Sequence, residues 1–250
     1  MYSNKKGEHM LKTIKRYIPQ KITLLSTKKE AQNARTVTFT KPTNSFKAGQ
    51  HFLLKLPHDN QDSRGNVRIL STSSAPDDDT ISFTTRFFGT DSSSYKKALF
   101  SLKKGAEMTI VGPMPLLDVF KISDYTKPQV FLVGGIGATP LYSILRDEYT
   151  HQRGTTMKIF YTNRDADFIF GKEIDAMVSK LKNVELVKII SPKKITESDL
   201  KKFKESDAIF TLSGTEGFTD YYVNLLRSSL DIPAKRIHSY KQKPILGGGY

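Results

Sequence analysis

Val130-Phe131-Leu132-Val133-Gly134-Gly135-Ile136-Gly137-Ala138-Thr139-Pro140 decides the fold of this 250-residue chain. The apolar run at 130–133 suits a parallel strand buried on both faces. Gly134, Gly135 and Gly137 follow at once, and glycine allows a sharp turn and a close approach to the backbone. Thr139 is the candidate cap of a helix, and Pro140 fits its first turn, where a missing N–H has no partner to lose. Leu141, Ile144 and Leu145 continue at helical spacing. Strand, glycine turn and helix start in this order aim unpaired N–H groups and the positive helix end at one point, which suits an anion.

The anion most consistent with this turn is a dinucleotide pyrophosphate, although Pro140 stands where the usual fingerprint has its third glycine. Downstream, strands and helices alternate, which predicts a parallel sheet with helices on both faces. The strands are read at 157–162, 184–190, 208–212 and 237–241. Ile174, Met177, Val178 and Leu181 form a helical apolar stripe. Thr196 and Asp199 have capping-box spacing, and Thr219 is the expected cap of the last helix, with Phe218 and Val223 as its staple. Ligands of open α/β sheets gather at the carboxyl ends of the strands. Residues 134–139, 162–164, 191–194 and 213–217 should therefore line one cleft.

Upstream the period changes to two. Alternating segments at 36–40, 52–56, 67–72, 81–87 and 108–111, separated by turn residues, predict an antiparallel barrel with a helix at 95–102. Residues 121–129, polar and holding Pro128, read as a linker. The expected organisation is a polar extension at 1–12, an antiparallel β-barrel at 13–124 and an α/β parallel-sheet domain at 125–250.

Four motifs occur in a fixed order: Phe46-Lys47-Ala48-Gly49-Gln50-His51-Phe52, Arg68-Ile69-Leu70-Ser71, Gly112-Pro113, and the glycine turn at 134–140. In this order the chain resembles the ferredoxin-NADP reductase family of flavoproteins, over about residues 15 to 245. The resemblance implies an FAD-binding barrel followed by an NAD(P)-binding domain, and hydride transfer from NAD(P)H to flavin N5. Arg68, Ile69, Leu70 and Ser71 are then the flavin motif. Arg68 offers a fixed cation with a planar fork for a diphosphate, and Ser71 a hydroxyl for a flavin ring nitrogen. Leu70 replaces the family's stacking tyrosine. Ser93 and Ser94, with Lys96 as supporting charge, lie at the mouth of a helix where the family binds the flavin diphosphate.

On the nicotinamide side, the resemblance assigns Gly134, Gly135, Gly137, Thr139 and Pro140 to the pyrophosphate. Ser213 and Gly214 stand where the family reads Cys-Gly-Pro beside the nicotinamide. Ser71 and Ser213 are thus the candidate catalytic residues. Arg164 and Ser191, with Lys193 and Lys194, could meet a 2′-phosphate, which favours NADP over NAD. Several relatives end in an aromatic residue that stacks on the flavin, and Tyr250 behind three glycines could do the same.

Composition narrows the function classes. Cysteine is absent, so disulfides, iron–sulfur clusters and thiol chemistry are excluded within this chain. The five histidines are scattered without metal-ligand spacing and are read as surface or packing residues. Asp77-Asp78-Asp79 reads as a solvated turn. No apolar run approaches the ~20 residues of a membrane span, and the polar start lacks a signal core, so a cytoplasmic location is expected. The formal net charge of +14 favours an acidic electron carrier such as ferredoxin or flavodoxin; no nucleic-acid motif accompanies the lysines. Two alternatives stay open: an electron-transfer subunit of a larger oxidoreductase complex, and a nucleotide-binding module without catalysis.

Overall fold

The alternation in the first half builds an antiparallel sheet whose inward residues form one core. The computed structural model describes residues 17–114, 120, 122 and 124–241; Tyr250 lies outside the described residues. Strands β1 (Gln20–Ala31), β2 (Ala34–Thr40), β3 (His51–Lys55), β4 (Val67–Ser71), β5 (Thr80–Arg86) and β6 (Glu107–Val111) pair in the order β4-β3-β6-β1-β2-β5. A bridge between Thr72 and Phe83 joins the two edges and closes the barrel. Ile22, Leu24, Val37, Phe39, Phe52, Leu54, Ile81, Phe83, Met108 and Ile110 fill it. Helix α1 (Ser94–Ser101) packs Tyr95 and Leu99 onto the same core.

The longest strand, β1, is missing from the segments read by alternation, for a physical reason. Its register slips between Leu24 and Ser26, and residues 26–29 are exposed. Beyond that slip, the β1–β2 hairpin forms an arm that reaches the second domain, with β2 still paired to β5 from Ala34–Arg86 to Thr40–Thr80. Ala31 and Ala34 are buried there with Leu141, Tyr161 and Phe170. Lys28 pairs with Glu173 at 2.9 Å, and Gln32 N donates to Asp167 Oδ2 at 2.6 Å.

The second half is a parallel sheet of β7 (Gln129–Gly134), β8 (Met157–Asn163), β9 (Val184–Ile190), β10 (Ile209–Gly214) and β11 (Ile237–Lys241), in the order β11-β10-β7-β8-β9. Val130 and Leu132 of β7 face one apolar core and Phe131 and Val133 the other, as a doubly covered strand requires. Helices α2 (Ala138–His151) and α3 (Gly171–Val178) cover one face, and α4 (Glu197–Lys201) and α5 (Glu216–Asn224) the other. The strand order reverses beside β7, which places a crevice at its carboxyl end.

Helix starts differ in detail from the sequence reading. A single 3₁₀ turn, Gly135–Gly137, precedes α2, so Thr139 lies inside the helix and its hydroxyl donates to Ile136 O at 2.9 Å. Thr215, not Thr219, caps α5; Thr219 is buried within it. A serine or threonine at either position can bond the nearby backbone, so local sequence alone does not fix the turn. Thr196 and Asp199 form the expected capping box of α4.

A polar seam along α2 joins the domains. Ser143, fully buried, accepts from Gly49 N at 3.0 Å and donates to Ser74 O at 2.6 Å. One turn on, Arg146 pairs with Asp78 at 2.7 Å, and His151 meets Asp77 at 3.0 Å. The acidic turn read as merely solvated is therefore half of an interdomain contact. Replacing Ser143 with valine strands a buried N–H and a buried carbonyl; urea unfolding should show a loss of about 1–3 kcal/mol.

Candidate functional site

The barrel and the carboxyl ends of the sheet enclose a cleft of about 880 Å³. Ile69, Leu70 and Ser71 of β4, together with Arg86 and Lys96, form its barrel wall. Gly134, Gly135, Thr139, Arg164 and Ser191 form the opposite wall. Of the four strand-end segments expected to line one cleft, 134–139, 162–164, 191–194 and 213–217, each contributes residues to it, the last through Thr215 and Gly217 and not through Ser213 or Gly214.

The glycine turn is shaped by close approach. Gly135 has φ +52°, and a Cβ there would lie 2.7 Å from Arg86 Nη2. At Gly137 a Cβ would lie 2.2 Å from Ser213 O, so only glycine lets α2 start against β10. Pro140 is buried behind the turn and Gly214 beneath the ring of Phe218.

On the barrel wall, Ser71 Oγ is 2.9 Å from His51 Nε2. His51 is buried, and its ring stands 4.3 Å from Tyr240 across the domain boundary. Burial pushes the Tyr240 phenol up to about 12. A hydroxyl, an imidazole and a phenol thus form one cluster drawn from β4, β3 and β11. His51 has no local sequence signal beyond its motif, since its role depends on the antiparallel register that sets it opposite Ser71.

Two cations on this wall hydrogen-bond no other described side chain or backbone group. Burial, followed by the charges of Arg64, Arg68 and Arg86, pulls Lys96 down to about 8. Burial likewise lowers Arg86, with Arg164 acting in the same direction. Arg86 is the residue that sequence reasoning missed most plainly. It ends the alternating strand β5, where a lone cation facing the next domain was the available signal.

The remaining candidates divide. Arg164 and Ser191 are exposed on the rim with Lys193 and Lys194, and Lys194 Nζ lies 5.4 Å from the Tyr221 ring centre. Arg68, Ser93 and Ser94 are not among the residues that line the cleft; Arg68 and Ser94 face the loop 57–66. Arg68 donates to the carbonyls of Arg64, Gly65 and Val67 at 2.9, 3.1 and 2.7 Å. Ser93 caps α1 by accepting from Lys96 N, and Ser94 Oγ accepts from Asp62 N at 2.9 Å. Ser213 is fully buried, and its Oγ has no hydrogen-bond partner among the described residues. It stands behind the cleft wall, in register with Tyr240.

This architecture is the two-domain fold of the ferredoxin-NADP reductase-like proteins. Within it, residues 131–223 match the family described as oxidoreductase NAD-binding domain. Among solved structures, the CS-b5R domains of human Ncb5or in the NAD+ form align with a TM-score of 0.73 at 21% identity, covering 90% of this chain and 70% of that one. The flavohemoglobin of Malassezia yamatoensis with bound FAD and heme gives 0.72 at 16%, covering 94% and 63%. The ferredoxin-NADP+ reductase of Plasmodium falciparum with 2'P-AMP gives 0.69 at 14%, covering 90% and 97%. No curated protein matches the chain by sequence. No helix among the described residues is long and apolar enough to cross a membrane.

The low value for Lys96 has a direct test. Among reductively methylated lysines followed by carbon NMR, one signal should titrate near pH 8. It should vanish in Lys96→Met and move upward in Arg68→Gln, which removes one of the neighbouring charges.

Proposed function

We propose that the chain is a flavin-dependent NAD(P)H oxidoreductase that hands electrons to a separate acceptor. The observation that carries this reading is the cleft itself. One wall holds Ser71 and the desolvated cations Lys96 and Arg86, the other holds the glycine turn, and Arg86 spans the gap to Gly135. Two half-buried cations whose side chains have no hydrogen-bond partner among the described residues suit phosphate-bearing ligands, because a desolvated charge is costly until it is paired.

FAD fits the barrel wall, with residues 13–124 as its domain, and NADP, or NAD in its place, fits residues 125–250. A flavin held along β4 would supply the redox chemistry, taking hydride from a nicotinamide and passing electrons onward. The protein's own residues bind, orient and handle protons. Leu70 offers an aliphatic surface for the flavin ring. Ser71 holds a proton at the wall of the cleft, and His51 behind it fixes the direction of that hydrogen bond and can take the proton up or return it. Ser213 keeps the nicotinamide end of the sheet polar from beneath the surface. Gly134, Gly135, Gly137 and the start of α2 receive the dinucleotide pyrophosphate. Arg164, Ser191, Lys193 and Lys194 receive a 2′-phosphate, which supports NADPH as the donor. Tyr250 is the further candidate for covering the flavin.

The net charge of +14 supports an acidic one-electron carrier, such as ferredoxin or flavodoxin, as the acceptor, because opposite charges steer encounter. A cytoplasmic location accords with that pairing.

Absorbance between about 300 and 700 nm tests the reading, the window in which bound flavins absorb. A flavin band that bleaches on anaerobic addition of NADPH, faster than with NADH, is the expected outcome. A protein that stays colourless after incubation with FAD and FMN overturns it. Arg164→Ala should raise KM for NADPH about tenfold and leave NADH nearly unchanged, the loss of one charge-assisted contact; equal effects on both donors remove the 2′-phosphate assignment. Flavin affinity should also fall as pH rises past about 8, where Lys96 loses its proton, and Lys96→Met should flatten that dependence.

A further inference from the structure

The loop between β3 and β4 carries a carboxylate into the place where a flavin diphosphate is expected. Asp62 Oδ1 accepts from Arg64 N at 3.0 Å and from Arg68 Nη2 at 3.4 Å. Its Oδ2 accepts from Ser94 N, at the start of α1, at 3.1 Å and from Arg64 Nη2 at 3.4 Å. The same loop fills the rest of Arg68's hydrogen-bonding capacity with carbonyls of Arg64, Gly65 and Val67. His58 fastens it from the other side, one ring nitrogen on Leu56 O at 2.9 Å and the other on Ser94 Oγ at 3.1 Å. Arginine fork, helix start and serine are all engaged, and every acceptor comes from one ten-residue loop, 57–66, and its neighbour Val67.

We propose that Asp62 is an internal counter-anion for this cradle, so that flavin enters by displacing the 57–66 loop and is held as an exchangeable ligand. The proposal rests on the flavin reading above. The charge count favours displacement over permanence. Arg64, Arg68 and Lys96 stand together, and the one carboxylate among the contacts of this cradle is Asp62. Against Arg64, Arg68 and Lys96, a single carboxylate leaves the group net cationic. A diphosphate brings more charge and more acceptor oxygens to the same donors. The two guanidinium contacts of Asp62 are long, and its side chain keeps 29% of its exposure, so water can reach them and weaken the hold.

The test compares FAD affinity, read by quenching of flavin fluorescence, in the full chain freed of flavin. Asp62→Asn keeps an acceptor for Ser94 N and removes the charge, and FAD should then bind about tenfold more tightly or better. Asp59→Asn, an exposed residue of the same loop, makes the same change in net charge and should leave affinity within about twofold, the scale of a screened surface charge. Equal or weaker binding by Asp62→Asn overturns the proposal while the flavin reading stands. Failure of both wild type and variant to bind FAD or FMN overturns the flavin reading and this proposal with it. Hydrogen exchange in the wild type gives a second measurement that needs no variant: amides of 58–66 should exchange faster once FAD is bound, and slower exchange overturns displacement.

Discussion

The fixed relation of barrel and sheet depends on one buried hydroxyl. Ser143 sits in the middle of α2, the helix that begins at the glycine turn, and it bonds two backbone groups of the barrel. A helix so tied cannot slide or rotate without stranding a buried donor and acceptor, which is costly in a water-excluded seam. The glycine turn is therefore held at a set distance from β4, and the cleft keeps its two walls. Arg86 can approach Gly135 only because this seam has already placed β5 there. Asp78 and Asp77 extend the same line of contacts at the barrel edge.

Charge distribution gives the two walls different tasks. The rim cations, Arg164, Lys193 and Lys194, are exposed, so salt screens their interactions. Lys96 and Arg86 are desolvated, so pairing either with an anion recovers a large part of the burial cost. The Ser71–His51–Tyr240 cluster joins the two walls across the domain boundary, with Ser71 hydrogen-bonded to His51 and the His51 ring against that of Tyr240.

Legibility in the sequence followed the physical range of each interaction. The glycine turn, the buried β7 and the alternating strands of the barrel are local patterns, and they appear in the fold with bounds shifted by a residue or two. The strand-end segments converge on one cleft because parallel topology requires it. What local pattern could not supply was register and long-range pairing. His51 opposite Ser71, Arg86 over Gly135, and Asp62 inside the Arg68 fork each join residues from separate strands or loops. The arm of β1 and β2 was illegible for a related reason, since Lys28, Lys29 and Glu30 look like a surface loop until Glu173 and the opposite domain are in view. Ser213 shows a further limit: its motif position marked it as a candidate catalytic hydroxyl, but not that the packing of Gly137 on its carbonyl buries it.

That arm also settles how the chain behaves as a material object. Ala31 and Ala34 belong by sequence to the barrel but by burial to the core of the parallel sheet. The core on one face of the parallel sheet is thus completed by residues of the barrel domain. A cut at the connecting segment near 121–129 would leave the sheet with an unfilled hollow and the barrel with a bare apolar tip, so the two halves form one cooperative unit. Exchange of one domain alone would therefore open a shared core, so the chain can be recombined only as a whole.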